Sequence, residues 1–139
     1  MERSDIVAEA RTWIGTPFKH QGRTKGKGVD CIGLLYGIAK NLGIAPDIKS
    51  IPQEYIGYKR IPENGRLQAA LNTYMEPIRM SQLQPGDALL FAYKVGHPQH
   101  VAIYTGETLI HAFSKKCIEH GFSEAWRRRL CGAYRFKWS

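Results

Sequence analysis

The first part of the chain spaces its apolar residues as helices do, and the second part alternates them as strands do. In "MERSDIVAEARTWIG" charges interrupt the apolar positions at helical spacing, which predicts an amphipathic first helix. Asp30 is a good N-cap residue; Ile32, Leu35, Ala39 and Leu42 then recur on one helical face until Gly43 offers a stop, so a second helix is predicted over 30–42. A third is expected over 66–75. Between them, "GIAPDIKSIPQEYIGYKRIPENG" is polar and proline-bearing and reads as a long surface connection. "LQPGDALLFAYK" supplies a Pro-Gly turn and a strand, "HVAIYTG" and "TLIHAFS" supply two more, and "GAYRFKW" a last one. Helices followed by strands predict an α+β fold, with helices packed on one face of an antiparallel sheet and residues 1–139 forming one domain.

The two central strands carry histidines. If Gly106 and Glu107 form a two-residue hairpin loop, Thr105 faces Thr108, Ala102 faces His111 and His100 faces Phe113. His100 and His111 then project from one face as diagonal neighbours, about 7 Å or less apart at Cβ, close enough for their rings to meet. Val101, Ile103, Ile110 and Ala112 occupy the other face. A thiolate nucleophile needs such a base, and the base needs a third group to hold its ring. Cys31 would be the first residue of the second helix, where free N–H groups and the helix dipole favour an anion and lower a thiol pKa. If that helix packs on the histidine face, a Cys-His-His relay follows. Asp30 caps the helix, and its carboxylate also acts on the thiol, with a sign that geometry decides.

Composition narrows the setting. Hydrophobic residues at 43% and charged residues at 23% are ordinary for a globular fold. No apolar run is long enough to span a membrane, and the charged N-terminus does not read as a signal peptide. Three cysteines without such a signal suggest synthesis in a reducing cytoplasm and thiol or metal chemistry in place of a disulfide framework. A formal charge of +8 implies an anionic partner such as nucleic acid, a cell-wall polymer or a membrane surface. The run Arg127–Arg129 reads as a solvated face, because no nucleic-acid motif accompanies it.

"GTPFKHQGRTKGKGVDCIGLLYGIAKNLGI", "LQPGDALLF" and "HVAIYTGETLIHA", in that order, resemble the NlpC-type cysteine peptidases, a papain-like group that cleaves bacterial cell-wall peptides. The resemblance covers nearly the whole chain. It implies a nucleophile helix packed on an antiparallel sheet, with Cys31 as nucleophile, His100 as base and His111 as the residue that orients the base. It further implies cleavage of peptidoglycan stem peptides between D-glutamate and diaminopimelate, with no cofactor. The "HQGR…GVDC" form of the first motif is more similar to members encoded with phage tails and gene-transfer particles, which offers a route to the wall for a chain without an export signal. Many members have tyrosine where Phe18 stands, so its hydroxyl near the site is missing here, and many have serine where Ile32 stands. Phe18, His20 and Asp30 are the expected substrate-binding or oxyanion-side residues.

Three alternatives use the same residues. A zinc site would draw on His97 and His100, Cys117 and His120, with Cys31 and His111, although "GHPQH" and "KCIEHGF" lack paired-cysteine spacing and a knuckle turn. In the peptidase reading no metal is bound, His97 is a loop residue before its strand, and Cys117 and Cys131 are core thiols. A tail or wall-binding component would keep the fold without cutting. The same chemistry also suits a thioester or lipid ester.

Overall fold

The computed structural model describes residues 1–59, 65–94 and 96–138, with Lys94 by its backbone alone. Helix α1 (Arg3–Arg11) starts at Glu2, whose N–H donates to Asp5 Oδ2 at 2.7 Å in a capping box. Two short strands, β1 (Arg23–Thr24) and β2 (Gly28–Val29), form a hairpin that leads into α2 (Cys31–Asn41). The stretch expected as a surface connection over 43–65 contains 3-10 turns at Ile48–Ser50 and Gln53–Tyr55; its positions 60–64 lie outside the described residues. Helix α3 (Arg66–Tyr74) follows, within a residue of its expected span.

The rest is sheet. Strands β3 (Met75–Pro77), β4 (Ala88–Lys94), β5 (His97–Tyr104), β6 (Thr108–Phe113), β7 (Lys116–Gly121) and β8 (Leu130–Phe136) pair antiparallel in the order β3-β8-β4-β5-β6-β7. A short helix α4 (Glu124–Arg127), capped by Ser123, lies between β7 and β8. This is the α+β architecture expected from the pattern. Strand β7 was not expected, because "KCIEHG" mixes charge and apolar residues without clean alternation.

Each face of the sheet has its own apolar cluster. Ala88, Leu90, Val101, Ile103, Ile110 and Tyr134 pack against Ile6, Trp13, Leu34, Ile38 and Leu71 of the helical side. Leu89, Phe91, Ala102, Leu109 and Ala133 point the other way, toward Phe122 and Trp126. Burying each large side chain contributes roughly 1.5–3 kcal/mol, so the helical face carries most of the core. The carboxylate of Asp87, fully buried, accepts from Arg135 at 2.8 and 2.9 Å, from the Gln84 N–H at 2.8 Å and from Arg3 at 3.4 Å, tying α1 and β8 to the start of β4.

Close backbone approach fixes where α2 begins. A Cβ on Gly33 would stand 1.7 Å from the carbonyl oxygen of Gly22, and one on Gly37 would stand 2.3 Å from the Trp13 ring. Glycine at both positions lets α2 lie against Gly22, just ahead of the β1–β2 hairpin, and Trp13, just after α1.

Candidate active site

Asp30 organises the start of α2. Its backbone is extended, Oδ1 accepts the Gly33 N–H at 2.8 Å, and Oδ2 accepts the Gln21 N–H at 2.7 Å and the Tyr58 hydroxyl. The carboxylate is therefore a buried acceptor filled by three donors, and it joins the helix, the turn at Gln21 and the connection before α3. Cys31 follows as the first helical residue, half-buried.

The β5–β6 hairpin has the expected register. Ile103 pairs with Ile110, Tyr104 with Leu109, and the Thr105 N–H donates to Thr108 O at 3.0 Å. His100 and His111 share a face, and His100 Nε2 lies 2.6 Å from His111 Nδ1. Both are buried. The helix does not pack on that face, however: α2 covers the side of Val101, Ile110 and Ala112, whereas the imidazoles stand on the side of Trp126. Cys31 and His100 meet at the end of the sheet, where β5 and β6 cease to pair beyond Ile103 and Ile110 and β4 is bulged after Phe91. There both line one cavity of about 320 Å³, together with Phe18, His20, Asp30, Tyr58, Gln99 and Phe113. All six candidate residues except His111 line this cavity; His111 stands behind His100.

The expected lowering of the thiol pKa is overturned. Burial pushes Cys31 up to about 12, and the Asp30 carboxylate adds to the rise, while backbone hydrogen bonds from Val101, Ile32 and Cys31 itself act weakly in the other direction. Desolvation at the helix start outweighs these backbone hydrogen bonds. Burial likewise lowers His100 to about 3, and burial with the neighbouring rings of His100 and His120 lowers His111 to about 2. Among the described residues no carboxylate acts on either ring to favour the cation, and burial favours the neutral thiol and the neutral imidazoles. His100 Nε2 is engaged by His111, which leaves Nδ1 as the ring nitrogen outside that bond.

Several surroundings were not legible in the sequence. Tyr93 stacks on His100 at 5.4 Å between centroids, and Trp126 packs edge-on against His111 at 5.0 Å. Tyr58 brings a hydroxyl to the site from a distant loop, edge-on to His20 at 5.4 Å, but donates it to Asp30. His120 bonds to the far side of His111, 2.7 Å between the Nε2 atoms. Phe18 presents an exposed ring, and its N–H donates to Lys115 O at 2.8 Å.

The residues of the zinc alternative do not form one ligand set: His100, His111 and His120 bond to one another in a line. Cys117 is buried on the helical face of the sheet, and His120 faces the opposite side. Among the described residues no group of three or more His, Cys, Asp or Glu is arranged to hold a metal ion. His97 is the first residue of β5 rather than a loop residue, and Cys131 is an exposed strand residue rather than a core thiol. Arg127 lies over the Phe122 ring at 4.1 Å. A second, more apolar cavity of about 150 Å³ lies between α2, α3 and the connection before α3; it has neither thiol nor imidazole in its walls. No helix among the described residues is long and apolar enough to cross a membrane.

The family profile described as "NlpC/P60 family" matches residues 15–135. A gamma-DL-glutamyl hydrolase of Bacillus subtilis is 29% identical over 137 residues, covering 94% of this chain and 29% of its own length. A probable endopeptidase of Mycobacterium tuberculosis is 30% identical over 109 residues, covering 78% of this chain and 23% of its own. The chain thus spans under a third of the length of these relatives. Among solved structures, an NLP/P60-family protein of Staphylococcus aureus, described as similar to a lipoprotein, superposes with a TM-score of 0.68 at 25% identity, over 99% of this chain and 42% of that one. The NlpC/p60 domain of the peptidoglycan hydrolase SagA superposes with a TM-score of 0.64 at 23% identity, over 98% of this chain and 100% of that one. With the profile running from Gly15, ahead of the β1–β2 hairpin, to β8, the chain belongs to the NlpC/P60 family.

Proposed function

We propose that residues 1–139 form one catalytic domain, a cysteine peptidase that hydrolyses peptidoglycan stem peptides with Cys31 as nucleophile, His100 as base and His111 orienting His100. The observation that carries this reading is the meeting of Cys31 and His100 in one cavity, with His100 Nε2 held at 2.6 Å by His111. A binding module has no use for a thiol opposite an oriented imidazole.

The neutral resting pair decides the order of proton transfer. His100 Nδ1 takes the Sγ–H proton as sulfur attacks the scissile carbonyl, so charge develops only in the transition state. The N–H groups of Cys31 and Ile32 have no backbone carbonyl partner within the helix, lie against the Cys31 sulfur and are the candidate oxyanion donors. Phe18 and the filled carboxylate of Asp30 supply none from their side chains. The His100 imidazolium then protonates the leaving amine, which departs and leaves a thioester on Cys31. His100, neutral again, takes a proton from water as it attacks the thioester; collapse releases the acid and restores the thiol. His111 accepts the Nε2–H of His100 throughout and stabilises its transient charge.

The name of the B. subtilis relative, a gamma-DL-glutamyl hydrolase, supports a γ-glutamyl peptide as substrate, that of the M. tuberculosis relative supports an endopeptidase, and we assign cleavage to the bond between D-glutamate and diaminopimelate. His20, Phe18 and Gln99 would line its path. The +8 charge suits docking on an anionic wall, and the form of the first motif supports carriage by a phage-like particle. Digestion of purified muropeptides, followed by mass spectrometry, tests the reading: a new free amine on diaminopimelate is expected. Retention of intact muropeptides with tight binding to sacculi would favour the non-catalytic wall-binding alternative.

A further inference from the structure

His111 does not end the line of imidazoles. Its Nε2 lies 2.7 Å from Nε2 of His120, and His120 Nδ1 lies 2.8 Å from the carbonyl oxygen of Gly121. The β6–β7 register explains the meeting: Leu109 pairs with His120 and His111 with Ile118, so the two histidines are diagonal neighbours on one face. Trp126 packs against all three rings, at 5.8, 5.0 and 5.8 Å from His100, His111 and His120.

Proton positions along this line follow from its last atom. A carbonyl oxygen only accepts, so His120 Nδ1 carries a hydrogen and donates it to Gly121 O. In neutral His120 the lone pair is then on Nε2, which accepts the Nε2–H of His111. That leaves the His111 lone pair on Nδ1, where it accepts the Nε2–H of His100. The His100 lone pair is left on Nδ1, the nitrogen available to Cys31. Each neutral imidazole has one donor and one acceptor, so reversing any member reverses those before it and turns an N–H toward the thiol. Burial keeps His100 and His111 in the neutral form that this ordering requires.

We propose that His120 is a positioning residue: through its bond to His111 it sets the tautomers of His111 and His100, so that the lone pair of His100 Nδ1 faces Cys31. The inference rests on the peptidase reading for its catalytic consequence, but not for the tautomers. His111 alone cannot choose, because either of its ring nitrogens can carry the hydrogen. A carbonyl, read through His120, can.

Nitrogen NMR of the full chain with 15N-labelled histidine tests this without substrate. In the wild type, His100 and His111 are expected to show a protonated Nε2 and an unprotonated Nδ1. His120→Gln can accept from His111 through its amide oxygen, and is expected to preserve those signals and keep kcat within about threefold of wild type. His120→Ala should average the His111 nitrogens toward a tautomer mixture and lower kcat by about tenfold with little change in KM. Should His120→Ala fail to fold, the wild-type and His120→Gln spectra still decide. A wild-type His111 protonated at Nδ1, or a folded His120→Ala with unchanged nitrogen signals, overturns the proposal. An inert protein with the expected tautomers would defeat the peptidase reading and leave the tautomer assignment standing.

Discussion

At Cys31 two effects oppose one another, and their balance decides how the residue is used. Free N–H groups at the helix start favour a thiolate, while burial and the Asp30 carboxylate disfavour it and prevail. The sequence displays the first effect, because an N-cap and a helical pattern are local, and it displays the neighbouring Asp30 without the sign of its action; the burial depends on elements remote in the chain. The difference in 240 nm absorbance between wild type and Cys31→Ser should therefore show no thiolate at neutral pH and a rise only on the alkaline side. A full thiolate signal at pH 6 would restore the preformed ion pair. The proposed base, His100, is lowered by burial to about 3, so lowering the pH from 7 to 5 should not protonate it and kcat/KM should change little across that interval. His100→Ala should lose at least about 100-fold in kcat, because in the proposed mechanism the same ring moves the proton in both half-reactions. His111→Gln should retain more turnover than His111→Ala, because an amide oxygen can still accept from His100 Nε2.

Among the elements, the β5–β6 hairpin was the most legible. Thr105-Gly106-Glu107-Thr108 sets a short loop between alternating strands, and that alone puts His100 and His111 on one face. The side on which α2 packs was not legible. Val101, Ile110 and Ala112 form the more apolar face and draw the helix, so Cys31 reaches His100 round the opened end of the hairpin. Strand β7, and with it His120, was hidden because Lys116, Glu119 and Gly121 break the alternation at a sheet edge. Tyr58 was hidden for a different reason: its partner Asp30 lies 28 residues away in the chain. The fit of α2 against the β1–β2 hairpin gives a direct prediction for Gly33→Ala. Its methyl group would overlap the Gly22 carbonyl, and relieving that overlap should cost about 3 kcal/mol in chemical denaturation and displace Cys31.

Across the whole molecule, buried neutral histidines couple stability to pH. The unfolded chain binds protons at His100 and His111 near their ordinary value of 6.5, whereas the folded chain does so only near about 3 and about 2. Between these values the unfolded state holds more protons, so stability is complete above about pH 7 and falls as the pH drops through 6.5 toward 3. The urea midpoint should decline over that range, and less steeply in His111→Gln. The Asp87 cluster works at the same scale, since it joins the first helix to the last strand. Arg135→Ala removes two hydrogen bonds to a fully buried carboxylate and should destabilise the protein by about 3 kcal/mol without touching the cavity.

The central claim is that Cys31 carries the acyl group of a cell-wall peptide between two proton transfers by His100. Acid-quenching the enzyme during turnover of a D-glutamyl-diaminopimelate muropeptide, then measuring the mass of the proteolytic fragment that contains Cys31, tests it most directly. The account predicts that this fragment gains the mass of the D-glutamyl side of the substrate as a hydroxylamine-labile thioester, and that Cys31→Ala shows neither the adduct nor any cleavage. Cleavage that continues in Cys31→Ala, with no adduct on the wild-type fragment, would contradict it.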